Sequence, residues 1–595
     1  MTPSEHRCAH LLPYGAQLQA DGRTRFRLWA PGVDAVAVEI EGHPPQPLDS
    51  AGDGVFEGSA ACGAGARYRY RVAPDLAVAD PASRWQAGDV HDASIVVDPT
   101  AYHWRAIDWR GRPWREIVIY ELHVGCYGGF EGVERRLPEL AQLGITAIEL
   151  MPIADFPGQR NWGYDGVLPY APDTRYGTPE QLKRLIDRAH ELGLCVYLDV
   201  VYNHFGPDGN FLHAYAPPFF DEHNHSPWGA AIDFAQPHVR EFFTHNALYW
   251  LFEYRFDGLR FDAVHAISDP GWLDEMAAAV RAQTEPGRHV HLLLENERNE
   301  AAHLRGAFDA QWNDDGHNVL HVLLTGEREG YYANYVDASA ARLARGLSEG
   351  FIYQGEPMRS QDGARRGTPS ADLAPTAFIL FLQNHDQIGN RAFGERLTTL
   401  AANDALRAAI VLQLLCPQIP LLFMGEEWGC RTPFLFFTDF HAELATAVRE
   451  GRRREFARFA AFADDSARAT IPDPNAEATF LASKPRVDNA RAAEDYRGWY
   501  RALLALRRQH LVPRLDGLRS LGAVACGDAA VTAAWRADDG AVWRIAVNFG
   551  AAAVAVPALR GALIAESARG ACELAARGEL APHSASVLLE TAAAR

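Results

Sequence analysis

The stretch 178–204, TPEQLKRLIDRAHELGLCVYLDVVYNH, decides the fold. Thr178 stands before Pro179, with Gln181 three residues on, which is the arrangement of a capping box with proline in the first helical turn. Leu182, Leu185, Ile186 and Ala189 then recur on one helical face, and Gly193 ends the run. Residues 195–201 follow as an apolar run suited to a parallel strand covered on both faces. With the apolar run 147–153 before it, the segment reads as strand, helix, strand.

Working outward, similar runs lie at 117–122, 258–264, 289–294, 378–382 and 419–424, with a weaker one at 308–312. Together these make eight candidate strands, the number that closes a (β/α)8 TIM barrel. The first hundred residues follow a different period. Phe26, Leu28 and Ala30 alternate with Arg25, Arg27 and Trp29, and Tyr68, Tyr70 and Val72 alternate with arginines, as in the short strands of an antiparallel sandwich. A connector rich in Trp and Pro at 102–114 leads into the barrel, and beyond about residue 515 strand alternation returns. There, runs at 531–535 and 543–549 flank Asp538-Asp539-Gly540, a hairpin signal. The expected division is an N-terminal β-sandwich at 1–105, the barrel with insertions at 106–514, and a C-terminal antiparallel β domain at 515–595.

Composition narrows the function. The chain of 595 residues is 48% hydrophobic and 22% charged, as folded domains are. A formal charge of -19 excludes nucleic-acid backbones and anionic membranes as main partners and favours a neutral substrate. The eight cysteines are scattered, without a CxxC pair, which predicts reduced thiols and a cytoplasmic chain. The start, MTPSEHRCAHLLPYG, has no apolar segment behind a basic one, so no signal peptide is expected. Gln413, Pro417, Gln418 and Pro420 interrupt the apolar stretch 408–425, which reads as a buried helix, a turn and a strand rather than a membrane span.

Polar residues gather where the runs end, the side of such a barrel that carries chemistry. Asp199, Asn203 and His204 follow the third run, Arg260, Asp262 and His265 the fourth, Glu295 the fifth, and His385, Asp386 and Gln387 the seventh. Arg260 and Asp262 are two apart on a strand and share a face, so the guanidinium favours an ionised, nucleophilic Asp262. Glu295 closes the run His291-Leu292-Leu293-Leu294, where desolvation holds a proton for general-acid work. Two carboxyl groups of opposite protonation are what glycoside hydrolysis needs. Asp199 reads as structural, near Arg260. Gly346-Leu347-Ser348-Glu349-Gly350 has the GxSxG pattern but follows a helix-like stretch, so it reads as a helix end and not a nucleophile elbow. His223 and His225, beside Asp221 and Glu222, lack the spacing of a metal motif, and neither a metal nor a cofactor is expected.

The segments DVVYNHFGPDGN at 199–210, GLRFDAVHAI at 258–267, LENERN at 294–299 and QNHDQIGNR at 383–391 resemble the α-amylase superfamily of glycoside hydrolases. FDAQWNDDGHNVLHVLLTGEREGYY at 308–332, FIYQGE at 351–356 and PLLFMGEEWG at 420–429 narrow the resemblance to the maltooligosyltrehalose trehalohydrolases within it, over most of the chain from FRLWAP at 26–31 to about residue 480. The resemblance implies a glucan-binding-module-like N-terminal sandwich and a retaining hydrolase that cuts the α-1,4 bond next to the terminal trehalose of an α-glucan oligosaccharide. It also implies functional coupling to an enzyme that forms that substrate. Asp262, Glu295 and Asp386 are implied as the catalytic carboxylates. Tyr164 is implied to stack under the sugar there, with His204, Arg260, His385, Gln387 and Asn390 also contacting substrate, and His265, Asp314, Asp315 and His317 are expected on the acceptor side. The segment after WNDD departs from the family pattern of an aromatic and two histidines, reading Gly316-His317-Asn318. A branching or debranching enzyme of the same superfamily is the alternative, and a silent glucan-binding protein a further one that the intact carboxylate triad argues against.

Overall fold

The computed structural model describes residues 8–226, 229–359 and 363–591. Residues 1–7, on which part of the signal-peptide reading rests, lie outside them.

Eight parallel strands close a barrel in chain order. They are β1 (Ile119–Leu122), β2 (Ala147–Leu150), β3 (Cys195–Val200), β4 (Gly258–Phe261), β5 (His291–Leu294), β6 (Ala310–Trp312), β7 (Phe378–Phe381) and β8 (Ile419–Phe423). Every strand is buried along its whole length, because helices cover the outside and side-chain layers fill the inside. Helix α1 (Phe130–Leu143) follows β1, and α2 (Pro179–Glu191) carries the expected capping box, with Thr178 accepting from Gln181 N and Gln181 reaching back to Thr178 N. Helix α3 (Asp314–Thr325) follows β6.

The stretch 408–425 folds as helix α4 (Asn403–Leu415) and strand β8, both buried. Among the described residues no helix is long and apolar enough to cross a membrane. The 102–114 connector plugs the N-terminal end of the barrel. Trp109 and Trp114 pack on its inner core cluster and donate to Asp257 Oδ1 at 2.8 Å and to the Thr376 carbonyl at 2.7 Å. The opposite, C-terminal end is thereby left as the open face.

Two antiparallel sheets precede the barrel, with Phe26, Leu28, Tyr68 and Tyr70 buried between them as the alternation requires. Arg84 pins this sandwich to the barrel through Glu253 at 3.2 Å, both side chains buried. A five-stranded antiparallel sheet, beginning at Arg519–Ala525, closes the chain. It contains the expected hairpin, Ala530–Arg536 and Val542–Asn548, with Gly540 at φ 80° in the turn. Trp543 docks it by donating to the Leu415 carbonyl at the end of α4, at 3.0 Å.

Candidate active site

The side chains at the open face converge on one guanidinium. Arg260, on β4 and 1% exposed, donates from Nη1 to both oxygens of Asp199 at 2.9 Å and to Asp262 Oδ1 at 2.8 Å. From Nη2 it donates to Glu295 Oε2 at 2.6 Å. Trp312, at the end of β6, lies beneath it with the ring centroid 4.1 Å from Cζ. The parallel register explains the convergence, since Arg260 pairs across with Asp199 on β3 and Leu293 on β5. Asp199 is thus the structural carboxylate that the sequence suggested. Tyr164 also donates its hydroxyl to it, at 2.5 Å.

Asp262 and Glu295 touch the same cation yet differ in proton affinity. Burial would raise Asp262, but the Arg260 guanidinium, His204 and the Asn203 amide, 2.8 Å from Oδ2, outweigh it and hold the carboxyl below its ordinary value. Burial pushes Glu295 well above the usual carboxylate range, and the nearby anions Asp262, Asp314 and Asp386 add to the push against Arg260. Ala263 donates its N–H to Glu295 Oε2 at 3.0 Å from a left-handed backbone, φ 40° and ψ 50°, a conformation that costs an alanine of order 1–3 kcal/mol. This residue links the two carboxyl groups directly.

The other expected residues fall into two groups. Tyr164 stacks on His385 with centroids 4.9 Å apart, and His204 contacts the Tyr164 carbonyl at 3.0 Å. His385 is locked to Glu121 through its ring and its N–H; burial lowers its pKa, but Glu121 more than compensates and the net direction is up. Asp386, raised by burial, accepts from Asn390 at 2.6 Å, and Gln387 is half-buried beside it. Burial pushes Asp314, at the start of α3, up to about 7. His265 and Glu297 help to line a cavity of about 430 Å³ with Arg298, Glu300, Arg365 and Arg366. Its lining includes His265, three residues past Asp262 and within electrostatic reach of it, and Glu297, two past Glu295.

Asp315 and His317 do not reach this surface, which corrects their expected placement. Asp315 is wholly buried and accepts from Tyr335 at 2.5 Å, Asn299 at 2.9 Å and the backbone of Ile352 and Tyr353. His317 is buried against Phe381 and bonded to the Leu382 carbonyl at 2.8 Å. Both turn inward from α3 and brace loops behind the site.

Sequence reasoning missed Glu121 and Glu149, both buried in the barrel wall. The signal was a carboxylate in each apolar strand, a residue type that is rarely buried unless paired. Ser348, of the GxSxG pattern, sits inside helix Ser339–Glu349 and donates to the Ala344 carbonyl at 3.0 Å, as a helix end predicts. His223 is exposed, and the side chain of His225 lies outside the described residues. Among the described residues no group of three or more His, Cys, Asp or Glu is placed to hold a metal.

Residues 83–217 match the family described as "Alpha amylase, catalytic domain", and 519–587 match a "Domain of unknown function (DUF3459)". Barrel, carboxylate site and this match define a glycoside hydrolase of the α-amylase superfamily. A malto-oligosyltrehalose trehalohydrolase of Deinococcus radiodurans is 42% identical, covering 82% of this chain and 81% of its own length. The enzyme of that name from Saccharolobus solfataricus is 37% identical, covering 84% of this chain and 87% of its own. A crystal structure of a putative α-amylase from Salmonella typhimurium superposes with a TM-score of 0.92 at 42% identity, covering 98% of this chain and all of that one (100%). The chain belongs to the malto-oligosyltrehalose trehalohydrolase family.

Proposed function

We propose that this chain is a retaining hydrolase that cuts the α-1,4 bond next to the terminal trehalose of maltooligosyl trehalose, releasing free trehalose. The observation that carries the reading is the pairing of Asp262 and Glu295 on one guanidinium, at 2.8 and 2.6 Å, with opposite proton affinities. Two carboxyl groups sharing one planar cation favour the short separation of retaining sites, about 5 to 5.5 Å, over the wider gap that admits a water in inverting ones.

The ionised Asp262 attacks the anomeric carbon as the bond to the glycosidic oxygen breaks. Both fixed contacts of Glu295 fall on Oε2, which leaves Oε1 to carry the proton that passes to the departing oxygen. Glu295, now ionised, takes a proton from water, whose oxygen attacks the same carbon and frees Asp262. Asp386 accepts hydrogen bonds from the hydroxyls of the ring being cut, with His204, His385, Gln387 and Asn390 around it and Tyr164 stacked below. The cavity beside His265 and Glu297 takes the leaving trehalose, with Asp314 in electrostatic reach of Arg366 in its lining; its volume is within the range of small-molecule sites, roughly 300 to 1,000 Å³.

Trehalose is a non-reducing disaccharide joined through two anomeric carbons, so the substrate must come from an enzyme that rearranges the reducing end of an α-glucan, and functional coupling to it follows. Eight free cysteines suit a reducing cytoplasm. Product analysis on maltooligosyl trehalose, a plain maltooligosaccharide of equal length and a branched glucan tests the reading. We expect kcat/KM for the trehalose-ended substrate to exceed the plain one by at least roughly a hundredfold, about 2.7 kcal/mol. Equal rates would point to a general amylase, and faster attack on branch points to a debranching enzyme.

A further inference from the structure

Two aromatic rings are exposed on the rim of the open face. Tyr331 is 63% exposed and Phe393 38%. Single exposed apolar residues need no explanation, but these two are joined by a chain of ring contacts that runs through the buried Phe456. The Arg458 guanidinium lies 5.7 Å from the Tyr331 ring and 5.2 Å from Phe459. Phe459 meets Phe456 at 5.7 Å, Phe456 meets Phe462 at 5.5 Å, and Phe462 meets Phe393 at 5.8 Å.

The strip runs on from the site. Asn390 holds Asp386 at 2.6 Å, and the next residue, Arg391, forms two 2.8 Å bonds with Glu327. Glu327 in turn holds His321 at 2.8 Å, and Tyr332, adjacent to Tyr331, stacks on that imidazole at 4.0 Å. Phe393 lies two residues past Arg391. The support is rigid: Arg452, buried on helix α5 (Ala442–Phe456), donates to the carbonyls of Gly389 at 2.7 Å and Arg391 at 3.0 Å. Ala392, Phe456 and Ile471 form a small core beneath.

We infer that Tyr331 and Phe393 form a remote platform that holds the α-glucan chain several units from the cut, on the side of Asp386. The inference rests on the α-glucan reading of the site. A pyranose ring presents an apolar C–H face to an aromatic ring and hydroxyls at its edge, and here the exposed rings lie beside a half-exposed guanidinium, Arg458, which has Glu455 at 3.6 Å and further N–H groups to offer such hydroxyls. The carboxylates nearest the strip each have a partner: Glu327 holds Arg391 and His321, Glu395 holds Arg391 at 3.1 Å, Glu455 lies 3.6 Å from Arg458, and Glu329 accepts from the Ala460 N–H at 3.4 Å. The surface between the rings is therefore suited to a neutral chain. A preformed platform also loses little side-chain entropy on binding, because Tyr and Phe have only two side-chain torsions.

The test is calorimetric titration of maltotriose and maltoheptaose into the Asp262→Asn protein, with and without Tyr331→Ala and Phe393→Ala together. Plain oligosaccharides make the readout independent of any preference for trehalose, so failure of that preference and failure of the platform are told apart. We expect the double substitution to weaken maltoheptaose at least roughly tenfold, about 1.4 kcal/mol, with maltotriose unchanged. Tyr331→Phe, which keeps the ring, should retain the affinity. Unchanged maltoheptaose binding, an equal loss for both lengths, or no preference for the longer chain before mutation would each overturn the platform.

Discussion

Replacing Arg260 by methionine removes the cation at the centre of the site while keeping an unbranched stem over Trp312. In the folded protein that guanidinium serves Asp199, Asp262 and Glu295 at 2.9, 2.8 and 2.6 Å. An opposite charge at this range lowers a carboxyl pKa by about 1 to 3 units, or about 1.4 to 4 kcal/mol in favour of the ionised form. Burial alone would raise Asp262; Arg260 is the strongest of the neighbours that reverse it. Without Arg260, burial prevails and Asp262 moves up. Since Asp262, the proposed nucleophile, would work ionised, the acid limb of kcat/KM should move to higher pH by about 1 to 3 units. Arg260 also restrains Glu295, already raised by burial, so the alkaline limb should move up as well. The whole profile shifts upward and its peak falls, because Glu295 loses a contact that orients it. Arg260→Lys supplies the contrast. It keeps the charge and should shift the acid limb less, but one ammonium cannot span two carboxyl groups as a guanidinium fork does, so kcat still drops. The assay is kcat/KM on maltooligosyl trehalose from about pH 3 to about pH 10 for the three proteins. An acid limb that stays in place or moves down in Arg260→Met would refute the claim that this guanidinium keeps Asp262 ionised.

Three further outcomes follow from the same geometry. Asp262→Asn should lose turnover on every substrate, whereas Glu295→Gln should recover in part on substrates with activated leaving groups, which need little protonation; equal responses would reverse the roles. NMR of the first-formed product should show the α-anomer at the cut glucan end, and a β-anomer would remove Asp262 as nucleophile. His265→Ala or Asp314→Ala should shrink the trehalose preference, itself at least roughly a hundredfold, while leaving cleavage of plain oligosaccharide nearly unchanged. A parallel loss on both substrates would place these residues on the donor side or in the scaffold.

Much of this architecture was legible because its signals are local. The box at Thr178 and Gln181, the stop at Gly193 and the apolar strand after it lie within a few residues of one another, and each formed where the pattern placed it. The strand-end positions of Arg260, Asp262 and Glu295 were equally readable, since the period of a strand fixes which side chains share a face. What escaped was set across the barrel. Glu121 meets His385 over 264 positions of sequence, and no spacing rule links them. Asp315 and His317 were drawn toward the site by their closeness to Asp314. Each step along a helix turns a side chain by about 100°, so the residue after Asp314 already faces the loop at Ile352 and Tyr353 instead of the cleft.

The difference between the two paired carboxyl groups cannot come from Arg260, which touches both. It comes from what else surrounds each one. Asp262 has a further donor, the Asn203 amide on Oδ2, and His204 nearby also favours its anion, so that with Arg260 these outweigh burial. Glu295 has one further donor, the N–H of Ala263, and faces three carboxyl groups, Asp262, Asp314 and Asp386. Ionising Asp262 therefore raises the proton affinity of Glu295, and the pair settles with one charge and one proton between them. The left-handed turn at Ala263 ties the two groups together, because the residue next to Asp262 directs its N–H to Glu295 Oε2. Its backbone strain is held by the packed β3, β4 and β5 ladder, past whose C-terminal ends Asp262, Ala263 and Glu295 stand.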